Sequence, residues 1–177
     1  MRLFSLVLIR HPAAAIAPGI CYGRRDVPLA APEQARAIAT QLPIGQEFRL
    51  WTSPASRCRV VAEAIAMQCG VRPHMDPRLL ELDFGAWEGC DWADVPRDAL
   101  DLWAADPEGF APPGGERGDS LIARARAFFW EIAAAGGAHV VVSHGGPLRV
   151  LAALARGQKV DLLAPPPALG AIEVFTV

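Results

Sequence analysis

Apolar positions along the chain recur with two different periods, and the alternation between them sets the expected architecture. Residues 6–9 are continuously apolar and stop at Arg10-His11-Pro12. A short aliphatic run of this kind suits a strand buried on both faces, with the polar pair at its exit. Further strands are expected at 48–52, within the connection 71–82, at 140–143 and at 171–177. Between them the spacing becomes helical: Ala35, Ile38, Ala39 and Leu42; Cys58, Val61, Ala62, Ile65 and Cys69; Leu121, Ala125, Phe128, Phe129 and Ile132; Leu148, Leu151 and Ala152. Pro43 with Gly45, Gly70, and Gly136-Gly137 supply stop signals for the first three helices. Strands alternating with helices predict an α/β fold, a mainly parallel central sheet flanked by helices.

Two stretches resist either period. Residues 12–29 carry prolines at 12, 18 and 28 and glycines at 19 and 23, and read as a long loop leaving the first strand. Residues 86–117 are rich in proline, tryptophan and acidic side chains, with one short helix expected over 97–105. This second stretch reads as an insertion covering a site on a single domain of residues 1–177. Trp87, Trp92, Trp103 and Phe110 either face a substrate or pack the insertion onto the domain.

With 177 residues and 52% of them hydrophobic, the chain has enough apolar material for a substantial core. Its formal charge of −2 offers no overall attraction to nucleic acid or to an anionic membrane. Lys159 is the sole lysine beside many arginines, whose planar forks suit phosphate or carboxylate. Cys21, Cys58, Cys69 and Cys90 are scattered without metal-ligand spacing, as expected of reduced thiols in a cytoplasm. Arg2, the apolar run and Ala13-Ala14-Ala15 imitate a signal peptide, but Arg10 and His11 interrupt it too early.

Chemistry collects at the strand exits, which in a parallel sheet lie along one edge. Arg10-His11 end the first strand. Ser53-Pro54 start the helix after the second, with Ser53 expected as N-cap and Arg57 in the first turn. His144 ends a later strand and Gly145-Gly146-Pro147 open the next helix. Two arginines, two histidines and two helix N-termini facing one point form an anion site, and phosphate is the obvious anion. Glu81 is the best carboxylic acid to complete the groups needed for phosphoryl transfer. The nucleotide-binding glycine loops, His-Glu-x-x-His, and a cysteine followed six positions later by arginine are all absent.

The ordered set Leu8-Ile9-Arg10-His11, Ser53-Pro54-Ala55-Ser56-Arg57, Glu81-Leu82-Asp83-Phe84-Gly85, Gly114-Gly115-Glu116 and Ser143-His144-Gly145-Gly146 resembles the histidine phosphatase superfamily, also called phosphoglycerate mutase-like. Within it, residues 21–29, Cys-Tyr-Gly-Arg-Arg-Asp-Val-Pro-Leu, look like the corresponding loop of the α-ribazole phosphatases of the cobalamin pathway. The resemblance implies a three-layer fold and a cytoplasmic phosphomonoesterase that needs no metal or cofactor. It would act on a small phosphate ester such as α-ribazole 5′-phosphate, with neither nucleic acid nor membrane as partner. By the same resemblance His11 is the nucleophile, Arg10, Arg57 and His144 clamp the phosphoryl oxygens, and Glu81 is the general acid and base. The chain departs from the family at Pro12, where glycine is usual, and at residues 13–17, which lack the usual hydroxyl and asparagine side chains. Backbone N–H groups of Cys21, Tyr22 and Gly23 are the expected replacements, and Gly145 is a further expected phosphate-binding position. Two alternatives stay open: mutase-type phosphotransfer, disfavoured by the short chain and brief insertion, and a non-catalytic phospholigand module, disfavoured by retention of both histidines, both arginines and Glu81.

Overall fold

The computed structural model describes residues 4–42, 45 and 47–177. In chain order they form β1 (Phe4–Arg10), α1 (Gln34–Thr40), β2 (Arg49–Thr52), α2 (Ser56–Cys69), β3 (Pro73–Met75), α3 (Arg97–Ala105), α4 (Gly118–Ala135), β4 (Gly137–Ser143), α5 (Gly145–Ala155) and β5 (Ile172–Thr176). One five-stranded sheet runs in the order β3-β2-β4-β1-β5. Its first four strands are parallel, and β5 closes the edge antiparallel to β1. Among the described residues no helix is long and apolar enough to cross a membrane.

The continuous apolar runs follow from burial on two faces. Alternate side chains of β1 point to opposite sides of the sheet. Phe4, Leu6 and Leu8 pack with Val141 of β4 under α4 and α5. Val7 and Ile9 pack with Val140, Val142 and Leu50 under α1 and α2. The result is the expected three layers, helices over both faces of a mainly parallel sheet.

Phe128 of α4 is fully buried and meets the Trp51 ring edge-on, at 5.5 Å and 85°. Phe128→Ala is expected to cost about 3–5 kcal/mol, the usual range for emptying a close-packed aromatic site. It should appear as a lower urea midpoint at unchanged denaturant slope.

Several boundaries differ from expectation for identifiable reasons. Pro43 and Arg2 lie outside the described residues, and α1 ends at Thr40. Ser53 does not cap α2: that helix starts at Ser56, with Ala55 in the N-cap position and no side-chain cap. Cys69 is exposed at the end of α2 rather than part of its buried stripe. Helix α4 begins at Gly118, with Asp119 and Ser120 inside its first turn, and Asp119 pairs with Arg117 at 2.7 Å. Strand β4 already starts at Gly137 because its ladder with β1 begins there, opposite Phe4.

The two aperiodic stretches hold each other. Cys21 N–H donates to Cys90 O (2.9 Å), Gly89 N–H to Cys21 O (2.7 Å) and Trp92 N–H to Gly19 O (2.9 Å). Cys21, Trp87 and Val95 form a small apolar cluster with Phe84, Trp92, Trp103 and Phe110 around it. Glu88 fixes the junction by accepting from the backbone N–H groups of Arg24 (2.8 Å), Arg25 (2.6 Å) and Phe84 (3.1 Å). Packing thus accounts for Trp87 and Phe110, whereas Trp92 and Trp103 also border the cavities described next.

Candidate active site

Register alone brings the expected residues together. Arg10 lies opposite Ser143 across the β1–β4 ladder, and Thr52 lies opposite Val142. Beyond the ladders, His11 N–H donates to Ser143 O (3.1 Å) and Ser53 N–H to Val142 O (3.0 Å). The exits of β1, β4 and β2 therefore sit side by side, carrying His11, His144 and Ser53.

His11 is 2% exposed and its Nδ1 lies 2.6 Å from Pro12 O. A carbonyl only accepts, so Nδ1 carries the hydrogen and Nε2 keeps a free lone pair. Arg57 Nε donates to that Nε2 at 3.4 Å. Burial, aided by the charges of Arg57 and Arg10 and opposed by the Pro12 carbonyl, lowers the His11 pKa to about 4. At neutral pH the ring is uncharged.

His144 is likewise buried. Its Nε2 shares a 2.8 Å hydrogen bond with Ser53 Oγ, and Cys58 Sγ lies 3.6 Å from the same nitrogen. Burial first, then the Arg57 charge, holds its pKa well below the ordinary histidine range. The two imidazoles meet edge-to-face with centroids 5.1 Å apart. The Ser53 hydroxyl, which reads as a helix cap, is thus spent on orienting His144.

Arg57, in the first turn of α2, is wholly buried. Nη2 donates to Gly23 O (2.7 Å), Nη1 to Arg25 O (3.0 Å), and the guanidinium lies 5.1 Å from the Tyr22 ring centroid. Among the described residues it makes no ion pair, so its charge is left for an anion. Cys21, Tyr22 and Gly23 therefore act first as its cradle, and the Cys21 N–H, expected to reach a phosphate, is engaged by Cys90 instead. Gly23 has φ +23°, and a Cβ there would press on Leu82 O and the Phe84 ring. Arg10 Nη1 donates to Pro167 O (2.6 Å), while its buried Nε has no partner. Gly145 packs against the Arg10 guanidinium, where a Cβ would lie 3.4 Å from Nη2.

Glu81 reaches the same place from another direction. Its carboxylate accepts from Gly146 N–H at the start of α5 (3.0 and 3.3 Å) and from Leu82 N–H (3.0 Å). Sequence reasoning missed what supports it. Arg124 donates to the carbonyls of Arg78 (2.8 Å), Leu80 (2.5 Å) and Glu81 (3.0 Å), and pairs with Glu116 at 2.8 Å. Arg24 joins from the loop, to Glu116 (3.0 Å) and to Glu81 O (3.2 Å). The available signal was Arg124 itself, a charge three residues after Leu121 on the apolar stripe of α4.

A cavity of about 130 Å³ is bordered by Arg10, His11, Arg57, Glu81, Tyr22 and Trp92. A second, of about 200 Å³, shares Arg10, Glu81 and Phe84 with it and extends past Trp103 and Arg149. Two uncompensated cations and two neutral imidazoles suit a phosphate dianion, with the Glu81 carboxyl group at the edge of the same space. Among the described residues no group of three or more His, Cys, Asp or Glu is gathered as a metal site would require.

The buried neutral histidines make stability depend on pH. Between pH 6.5 and about 4 the unfolded chain binds a proton that folded His11 does not. Stability is therefore expected to fall as pH falls through that window, by roughly 3 kcal/mol for His11 alone. The lowered pKa values of His144 and His139 add with the same sign. Depressed Asp26 and Asp76 contribute only at more acid pH, below their ordinary 3.8. Urea midpoints measured from pH 7 to 4 check this, and a flat profile would contradict neutral burial of the pair.

The chain is 30% identical over 169 residues to glucosyl-3-phosphoglycerate phosphatase of Mycobacterium tuberculosis, covering 86% of this chain and 75% of that protein. The solved native structure of the mycobacterial glucosyl-3-phosphoglycerate phosphatase superposes with a TM-score of 0.85 at 26% identity, over 98% of this chain and 90% of that one. The α-ribazole phosphatase of Shigella flexneri gives 0.85 at 25% identity, over 97% and 89%. The family model described as histidine phosphatase superfamily (branch 1) matches residues 6–171. The chain belongs to the histidine phosphatase superfamily and is a phosphoric monoester hydrolase.

Proposed function

We propose that the protein hydrolyses a small phosphate monoester through a phosphohistidine at His11. The observation carrying this is the Pro12 carbonyl, which holds the hydrogen on Nδ1 and leaves Nε2 unprotonated, its lone pair accepting only a long 3.4 Å hydrogen bond from buried Arg57 Nε. In the first step the Nε2 lone pair forms a bond to phosphorus as the ester P–O bond breaks, and Glu81 gives its proton to the departing oxygen. In the second, Glu81 as carboxylate takes a proton from water, the resulting P–O bond forms, and the N–P bond breaks to return neutral His11 and inorganic phosphate. Arg10, Arg57 and His144 hold the three phosphoryl oxygens and stabilise the charge that spreads over them.

Residues 86–117 serve in this reading as an insertion on a single domain that shapes the leaving-group side. The substrate is a phosphorylated metabolite, for which the names of the relatives suggest α-ribazole 5′-phosphate and glucosyl-3-phosphoglycerate as the first to try. The test is release of inorganic phosphate from these esters and from p-nitrophenyl phosphate, in the presence of chelator, with acid quenching to trap acid-labile phosphate on His11. Tight phosphate binding without turnover of any ester would overturn the proposal.

A further inference from the structure

We propose that Arg149 binds a carboxylate carried by the alcohol part of the substrate, in the 200 Å³ cavity beside the phosphate pocket. The proposal rests on the phosphatase reading above and narrows it to esters with a second, singly charged anion.

Arg149 lies on α5 three and four residues after Gly146 and Gly145, so it shares their face of the helix. With them it borders the cavity that also holds Arg10 and Glu81. Its Nε is buried and unpartnered, and its guanidinium makes no hydrogen bond or ion pair with any described residue. Arg57 and Arg124 differ, since Arg57 holds two carbonyls and Arg124 holds three carbonyls and Glu116, and Arg10, whose Nε is also unpartnered, still donates Nη1 to Pro167 O. Burial, chiefly, lowers the Arg149 pKa, and Glu81 and Asp161 act in the opposite sense through space without touching it. A half-buried cation with unfilled donors is costly unless a ligand fills them.

The surroundings select the ligand. A planar carboxylate matches the guanidinium fork with two parallel hydrogen bonds. A second phosphate would bring two charges to one free arginine. Phe84, Trp103, Leu121 and Leu162 line the same cavity and suit a short carbon skeleton between the two anions. The larger cavity that Arg149 also borders, about 330 Å³, is less suited because Asp161 and Glu173 line it and oppose an anion, and Arg156 is already paired with Glu173 at 3.1 Å.

The experiment compares kcat/KM for 3-phosphoglycerate and glycerol 3-phosphate, which differ at a carboxylate against a hydroxymethyl group, with p-nitrophenyl phosphate as reference. The wild type is expected to favour the carboxylate by about tenfold or more, mainly in KM. In Arg149→Met the ratio should collapse towards one, and Arg149→Lys, keeping the charge but not the fork, should recover part of it. Circular dichroism confirms that both variants fold. A wild-type ratio near one, or a ratio unchanged in Arg149→Met, overturns the proposal while hydrolysis of p-nitrophenyl phosphate leaves the phosphatase reading standing. Failure of the wild type to hydrolyse any of the three overturns both.

Discussion

Alanine in place of His11 is expected to lower kcat by roughly 10⁴-fold or more on every ester, because removing a covalent nucleophile removes the path and not merely one contact. The prediction is strong because no neighbouring group can substitute. The Ser53 hydroxyl is committed to His144. Cys58 lies beside His144 but is fully buried, and burial pushes its thiol up, so no thiolate is present. Cys21, bordering the phosphate cavity, is pushed up to about 12, by burial first and then by Glu88. His144 is neutral, but Ser53 occupies its Nε2. Added imidazole should restore a fraction of the activity by entering the space the ring leaves, and no phosphate should remain on the variant after acid quenching. Retention of activity within about tenfold of wild type would remove His11 from the nucleophile's role.

What was legible in the sequence is what topology transmits. A parallel sheet places strand exits on one edge, so apolar runs ending in Arg10-His11 and Ser143-His144 locate two histidines without any knowledge of packing. Arg57 follows from its place in the first turn after an exit. The errors came where one residue type serves two purposes. Ser53 before Pro54 satisfies every local rule for a helix cap, but its hydroxyl is drawn off by a buried imidazole that only the tertiary fold supplies. The loop at residues 21–23 was expected to give N–H groups to phosphate, and much of its polarity goes to holding Arg57 and the 86–117 segment. The Arg124–Glu116–Arg24 network left only one trace, the charge of Arg124 on an apolar stripe, because three of Arg124's contacts are with the backbone carbonyls of Arg78, Leu80 and Glu81, which carry no sequence signature. Arg149 was hidden for a related reason, since an arginine without a partner looks in sequence like any solvated one.

Arg57→Met should separate activity from stability more sharply than any other change. Catalytically it removes the buried cation beside the His11 lone pair, and kcat/KM is expected to fall about 10³-fold, the scale of losing a charged transition-state donor. Arg57→Lys should recover little of this, because an ammonium cannot span Gly23 O, Arg25 O and His11 Nε2 in one plane. Stability should move the other way. Arg57 is fully buried without a carboxylate among the described residues, held by two neutral carbonyls, the neutral His11 ring and the Tyr22 face. Methionine fills a similar volume without the desolvation cost, so the urea midpoint is expected to hold or rise, by up to about 1 kcal/mol. The loss of two carbonyl partners offsets part of the gain. A third readout ties the two effects together. Arg57 is one cause of the low His11 pKa, so an NMR titration of the variant should find His11 above its value of about 4, yet still below 6.5 because burial is the larger cause. A variant that instead loses more than about 3 kcal/mol would show that Arg57 is needed for packing, and its inactivity would then report unfolding rather than lost phosphate stabilisation.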